Sequence, residues 1–272
     1  MKLSISALSE YVSIVGNKVY LLPVRNACNA KCVFCATTVY SPSVSVPALS
    51  GDVYSELIEK IRRCEVKTFE ISGGGEPTLC RDLELIVKTT RKHFPNSFIK
   101  LYSNGIRLPS NPGIDELNIS RGAYDPKSNM LLMGTGSLEV ELSSVVSHAR
   151  DLGYKRIRVS FPLCKGGVES TKDIQDIGNK LLDRVDAIVF RPLYDATPNR
   201  DQLLPSITER DLTFAIHWIS QWNKEYAHRT YLEIDRYGIF RKNWLIIGSD
   251  GCMYRDFGLT ERIEILDSSE LD

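Results

Sequence analysis

Short β-rich runs alternate with longer amphipathic ones along most of this chain, and that alternation restricts its fold more than any other feature of the sequence. The strand candidates are Lys18 to Val24, Thr68 to Ser72, Phe98 to Ser103, Glu116 to Ser120, Arg156 to Phe161 and Ala187 to Phe190. Helical patterns over Asp52 to Arg63, Arg81 to His93, Ser137 to Leu152 and Ser170 to Leu182 separate most of them, whereas Gly105 to Asp115, rich in Pro and Gly, predicts only a turn or a short helix. Strands that alternate with helices pair in parallel through right-handed crossovers. The expected fold class is α/β, a partial (β/α)6 barrel over residues 18–195 with an N-terminal extension over 1–17 and a small C-terminal α+β extension over 196–272. In that extension Ile207 to Ala227 predicts a long helix capped by Ser206 or Thr208, with Trp218 and Trp222 on one face. Strands follow at Tyr231 to Asp235 and Ile239 to Tyr254, the second folded into a hairpin at Gly248 to Gly251.

Parallel sheets place their chemistry where loops leave the carboxyl ends of the strands. After the first strand comes Cys28-Asn-Ala-Lys-Cys32-Val-Phe-Cys35, three thiols within eight residues. Thiolate is the ligand class that zinc and iron–sulfur clusters select. A structural zinc site or a ferredoxin-type cluster would want a fourth ligand close by, and the local sequence offers none. Ser72-Gly-Gly-Gly-Glu-Pro-Thr78 follows the second strand, Ser103-Asn-Gly105 the third and Ser120-Arg121 the fourth. Three consecutive glycines let backbone approach a ligand closely. A nucleotide-binding P-loop fails here, because no Lys-Ser or Lys-Thr follows them.

The C-x3-C-x2-C loop with Phe34 before its last cysteine, followed one unit later by Gly-Gly-Glu, resembles the signature of the radical S-adenosylmethionine (SAM) enzymes. The resemblance covers residues 18 to 193. It implies a barrel of the radical SAM type holding one [4Fe-4S] cluster on Cys28, Cys32 and Cys35, with the open iron chelated by SAM. An electron from a donor such as flavodoxin or ferredoxin would then cleave SAM to a 5′-deoxyadenosyl radical. The same resemblance assigns Phe34, Gly73, Gly74, Gly75 and Glu76 to the cofactor, Glu76 with the glycines on the methionine amino group. Ser103 and Asn104 match the ribose contacts, and Ser120 and Arg121 the residues that neutralise the SAM carboxylate. Ser160, Arg191 and Leu193, at the ends of the fifth and sixth strands, fall where the family packs adenine.

Lys and Arg number 34, as do Asp and Glu, so the overall field gives no reason to expect nucleic acid as a partner. No apolar run is long enough to span a bilayer, and no membrane partner is expected of what reads as a cytoplasmic protein. Cys64, Cys80, Cys164 and Cys252 are scattered singly, which predicts no disulfide framework and no auxiliary cluster. His93, His148, His217 and His228 share no ligand spacing. The functional expectation is an enzyme that abstracts hydrogen from a small polar metabolite. The rivals are an activating enzyme for a glycyl-radical partner, a peptide-modifying enzyme and, from another class, a zinc-binding regulatory module. Cys164, three residues beyond Phe161 near the catalytic end of the fifth strand, is the candidate thiol to return a hydrogen atom to a substrate radical.

Overall fold

The structure, a computed structural model, describes residues 1–35, 47–194, 197–227, 229–234, 245–256 and 260–265. Its strands are β1 (Lys2–Leu3), β2 (Lys18–Leu21), β3 (Thr68–Ile71), β4 (Phe98–Ser103), β5 (Glu116–Ser120), β6 (Ile157–Leu163), β7 (Ala187–Pro192), β8 (Tyr231–Ile234), β9 (Ile246–Ile247), β10 (Met253–Tyr254) and β11 (Arg262–Ile265). The helices are α1 (Ile5–Ile14), α2 (Gly51–Ile61), α3 (Leu83–His93), α4 (Pro126–Met133), α5 (Leu142–Asp151), α6 (Thr171–Leu181), α7 (Arg200–Leu203) and α8 (Glu209–Glu225). All lie in or against one sheet of order β1-β11-β10-β9-β2-β3-β4-β5-β6-β7-β8. Strands β2 to β8 run parallel and pair in sequence order, which is the expected α/β barrel layout. Among the described residues no helix is long and apolar enough to cross a membrane.

Alternation along each strand sorts the residues by face. Val19, Leu21, Phe69, Ile71, Ile99, Leu101, Leu117, Ile119, Ile157, Val159 and Phe161 pack with the helices in one continuous apolar core. Helix α2 contributes Tyr54, Leu57, Ile58 and Ile61 from one stripe, and Ser50 caps its first turn by accepting from the Val53 N–H. Burying an aliphatic side chain of this kind is worth about 1.5–3 kcal/mol, so this outer layer supplies most of the stabilisation. The opposite face of the strands carries Lys18, Glu70, Lys100, Tyr102, Glu116, Asn118, Arg158 and Ser160 in register rows. A flat sheet would separate β4 from β7 by about 14 Å. The Arg191 guanidinium nevertheless lies 5.4 Å from the Tyr102 ring centre, so the sheet curves and this face is its inside.

A seventh parallel unit extends the six expected ones: α8 crosses from β7 to β8, and Trp222 anchors it by donating from Nε1 to the Thr230 carbonyl at 3.1 Å. Thr208 caps α8 in a reciprocal capping box with Asp211. Strands β9 and β10 form the expected hairpin around Gly248 to Gly251, and β9 pairs in parallel with β2. Asp235, residues 239–244 of the expected strand and His228 lie outside the described residues. Two local expectations differ. Helix α4 occupies a stretch given no element from the sequence, although Asp125 at its N-cap, Pro126 and left-handed Gly134 at its end (φ 67°) are start and stop signals. The single helix expected over Ser137 to Leu152 is a 3₁₀ turn, Gly136–Leu138, and then α5. The break has a cause: the Leu138 and Val140 carbonyls accept side-chain hydrogen bonds from Asn129 and Arg121 instead of helical ones.

Candidate active site

The cysteine loop leaves β2 and is held on two sides. On one, Asn26 N–H donates to the Gly74 carbonyl at 2.6 Å, and Glu76 N–H to the Ala27 carbonyl at 2.8 Å. On the other, Lys31 N–H donates to the Met133 carbonyl and Val33 N–H to that of Leu132, at the end of α4. Glycines permit both approaches. A Cβ on Gly75 would stand 2.2 Å from the Ala27 oxygen, one on Gly74 (φ +81°) 2.6 Å from the Val24 oxygen, and one on Gly134 2.4 Å from the Lys31 oxygen. The close approach expected at the glycine run is thus filled, at Gly74 and Gly75, by the cysteine loop itself. Gly73 meets only ordinary contact, 3.6 Å from Leu22.

Glu76 is buried and its carboxylate joins three loops. Its Oε1 accepts from the Thr78 amide, the Thr78 hydroxyl at 2.8 Å and the Ser103 hydroxyl at 2.8 Å, and its Oε2 accepts from the Asn104 amide at 2.9 Å. Burial raises its pKa, and these donors oppose the rise. The Asn104 side chain donates to Asn29 Oδ1 at 2.7 Å, which closes a circuit from the third motif back to the cysteine loop. The cysteine, glycine and Ser-Asn-Gly motifs, far apart in sequence, are therefore one hydrogen-bonded unit. Asn29 and Thr78 complete it and were not singled out from sequence; only their places inside two motifs could have flagged them.

Arg121, past the end of β5, is fully buried. Its Nη2 donates to the Val140 carbonyl at 2.9 Å, while Nε and Nη1 have no hydrogen-bond partner among the described residues. Burial lowers its pKa to about 10, and the Glu141 charge opposes the shift. A buried guanidinium with two unsatisfied donors is a seat for an anion. Buried Asn129 of α4 fixes the backbone beside it, accepting from the Gly122 amide at 2.8 Å and donating to the Leu138 carbonyl at 3.0 Å. The same helix thus braces both Arg121 and the cysteine loop. Ser120 is half-buried in register with Ser160.

Ser160 accepts from the Asn118 side-chain amide at 3.1 Å. Leu193 belongs with Cys164, Ala123 and Leu132 to a small apolar cluster against which Phe34 packs, while Arg191 lies over Tyr102. Cys164 is fully buried there, and desolvation pushes its thiol up to about 12.

The three loop cysteines suit a cationic cluster. Burial raises the Cys28 pKa and pushes Cys32 up to about 12; the Glu76 and Cys35 charges add to the first rise, and the Cys35 and Cys28 charges to the second. Thiolates that repel one another are a donor set short of a cation. Among the described residues no three thiol, imidazole or carboxylate groups are close enough to share one metal ion. A cubane takes its thiolates on separate irons, and one loop with three thiols can supply three of them.

The radical SAM superfamily family model matches residues 22–179. The GTP 3′,8-cyclase of Tolumonas auensis is 29% identical over 150 residues, 53% of this chain and 44% of the relative. That of Haemophilus ducreyi is 31% identical over 159 residues, with the same two coverages. The chain therefore spans less than half the length of these curated relatives. Among solved structures, SuiB of Streptococcus suis bound to S-adenosylmethionine aligns with a TM-score of 0.68 at 13% identity, over 90% of this chain and 63% of that one. The anSMEcpe structure with bound AdoMet gives 0.62 at 14%, over 93% and 78%. At such identities these likenesses concern the fold. The family match, which runs from the end of β2 into α6 and takes in more than half of the chain, does more: this protein belongs to the radical SAM superfamily and is an enzyme whose cofactors are a [4Fe-4S] cluster and SAM.

Proposed function

We propose that the protein uses SAM to abstract a hydrogen atom from a small polar metabolite bound on the inner face of the barrel. The observation that carries this reading is Arg121, buried beside a loop that abuts Phe34 and short of partners on two nitrogens. Cys28, Cys32 and Cys35 would hold the cluster, which when bound supplies the electron that cleaves SAM to its deoxyadenosyl radical. Glu76 and the glycine loop would take the methionine amino group, Arg121 with Ser120 its carboxylate, and Ser103 and Asn104 the ribose. Ser160, Leu193, Arg191 and Phe34 would border the adenine side. Residues 18–195 would carry this chemistry and 196–272 would shape the substrate side. The relatives named as GTP 3′,8-cyclases act, by their names, on a small molecule, which supports that class of substrate over a peptide. Cys164, in the apolar cluster against which Phe34 packs, would return hydrogen to the substrate carbon, and a flavodoxin- or ferredoxin-type donor would supply the electrons.

The test is anaerobic reconstitution followed by reduction in the presence of SAM. About four irons and four sulfides per chain, with release of 5′-deoxyadenosine, are expected. Zinc without sulfide, or a full cluster that never cleaves SAM, would overturn the reading.

A further inference from the structure

The cysteines of the loop stand in unequal surroundings. Cys28 is exposed, and the Ala30 and Asn29 amides donate to its sulfur. Cys32 is half-buried and packs against an apolar group of Ala30, Met133 and Leu138, which Phe34 and Ile106 also flank. Its Sγ donates to the Met133 Sδ at 3.4 Å. Backbone on both sides fixes that contact. The amides that flank Cys32, those of Lys31 and Val33, donate to the Met133 carbonyl at 2.9 Å and the Leu132 carbonyl at 3.0 Å. Met133 is itself buried, at the last position of α4, so the helix end delivers its thioether to the thiol.

A thioether accepts a hydrogen bond weakly and has no hydrogen to give. Cysteine binds iron as a thiolate, so on cluster loading the Cys32 sulfur gives up its proton and the pair keeps its contact without its hydrogen bond. Met133 then covers that side of the sulfur with a group that can neither donate to it nor admit water. Reduction adds negative charge to a cluster, and hydrogen bonds to its sulfurs and solvent around it both stabilise that charge. A sulfur walled by apolar groups withholds both.

We infer that Met133 is a positioning residue that keeps the Cys32 sulfur dry and without donors, and thereby holds the cluster at a low reduction potential. This rests on the reading in which Cys28, Cys32 and Cys35 hold the cluster. The step it governs is the uptake of one electron from the donor protein, which is oxidised as the cluster is reduced. No bond to Met133 forms or breaks.

Cluster-loaded protein without SAM is titrated anaerobically with dithionite in the presence of low-potential mediators, and the reduced fraction is read by electron paramagnetic resonance. Met133→Gln keeps the side-chain length and sets an amide donor where the sulfur stands, while Met133→Ala opens the same place to water. Each should raise the ratio of reduced to oxidised cluster at a fixed potential by about tenfold, which is about 59 mV for one electron. Met133→Leu, apolar and of similar volume, should leave that ratio within about twofold of wild type. Iron content should stay near wild type in all three. An unchanged ratio in both Met133→Gln and Met133→Ala, or a rise in Met133→Leu as large as theirs, would overturn the inference. Loss of iron from both Met133→Gln and Met133→Ala would overturn it too, since Met133 would then serve cluster loading and not potential. A wild-type protein that takes up no cluster, or Cys32→Ala that keeps full iron, would instead remove the reading beneath it.

Discussion

Replacing Arg121 with methionine should make the SAM-free protein more stable and nearly unable to bind SAM. The side chain is fully buried, with one hydrogen bond to the Val140 carbonyl and two nitrogens without partners among the described residues. Arg121→Met forfeits one charge-assisted bond, about 1.5–3 kcal/mol, and relieves two unsatisfied donors at about 1–3 kcal/mol each. Methionine keeps the length and flexibility needed to fill the space. The net expectation is a gain of about 1–2 kcal/mol, or about 2–8 °C in melting temperature for a chain of this size. The sign with pH can be worked out. Because burial lowers the folded pKa to about 10, below that of the unfolded chain, the guanidinium is charged in both states below pH 10 and its cost is constant there. That cost fades only as pH rises above about 10. The gain from Arg121→Met should therefore be flat between pH 6 and 9. SAM affinity should fall by about 30- to 150-fold, the equivalent of about 2–3 kcal/mol for a lost guanidinium–carboxylate contact. Scanning calorimetry and anaerobic titration of the same cluster-loaded sample measure both. A melting temperature several degrees below wild type, or SAM bound with unchanged affinity, would refute the argument.

Cys28→Ala, Cys32→Ala or Cys35→Ala should each abolish the reconstituted iron absorbance, whereas Cys64→Ala and Cys80→Ala, in buried positions within the main core, should retain it at a modest stability cost. Gly74→Val should lose iron as well as SAM, because its Cβ would stand 2.6 Å from the Val24 carbonyl in a backbone conformation with φ +81°; full iron with weak SAM binding would mean that this contact is not what the glycine serves. Cys164→Ser buries a hydroxyl among apolar neighbours at a cost of about 1–3 kcal/mol. That variant should still cleave SAM yet stop before product, and wild-type product formed in deuterated water should carry deuterium at the radical carbon. Full turnover by Cys164→Ser would leave the thiol a packing role.

The parts of this protein that were legible in its sequence are those where one residue's neighbours along the chain decide its conformation. Alternating Val19, Leu21, Phe69 and Ile71 announce strands because each second side chain must leave water, and the motifs at strand ends follow from the parallel layout. Helix α4 carried its signals in Asp125, Pro126 and Gly134, but its middle, Lys-Ser-Asn-Met-Leu-Leu, exposes Leu131 and buries Asn129, against the ordinary order of burial. That inversion hid it, and it follows from work the helix does elsewhere: Asn129 is inside because three backbone groups near Arg121 need its amide. The ionic inner face was hidden for a related reason. Glu70, Lys100, Glu116 and Arg158 occupy alternate strand positions, a pattern that signals a solvated face in an open sheet. Only curvature, visible when Arg191 meets Tyr102 across three strand spacings, turns that face into an enclosure. In such an enclosure the same alternation acquires a different energetic meaning. Charges that water would screen on an open face must here be balanced by one another, which is what Glu70 shared by Lys18 and Lys100, and Arg158 shared by Glu116 and Glu233, accomplish.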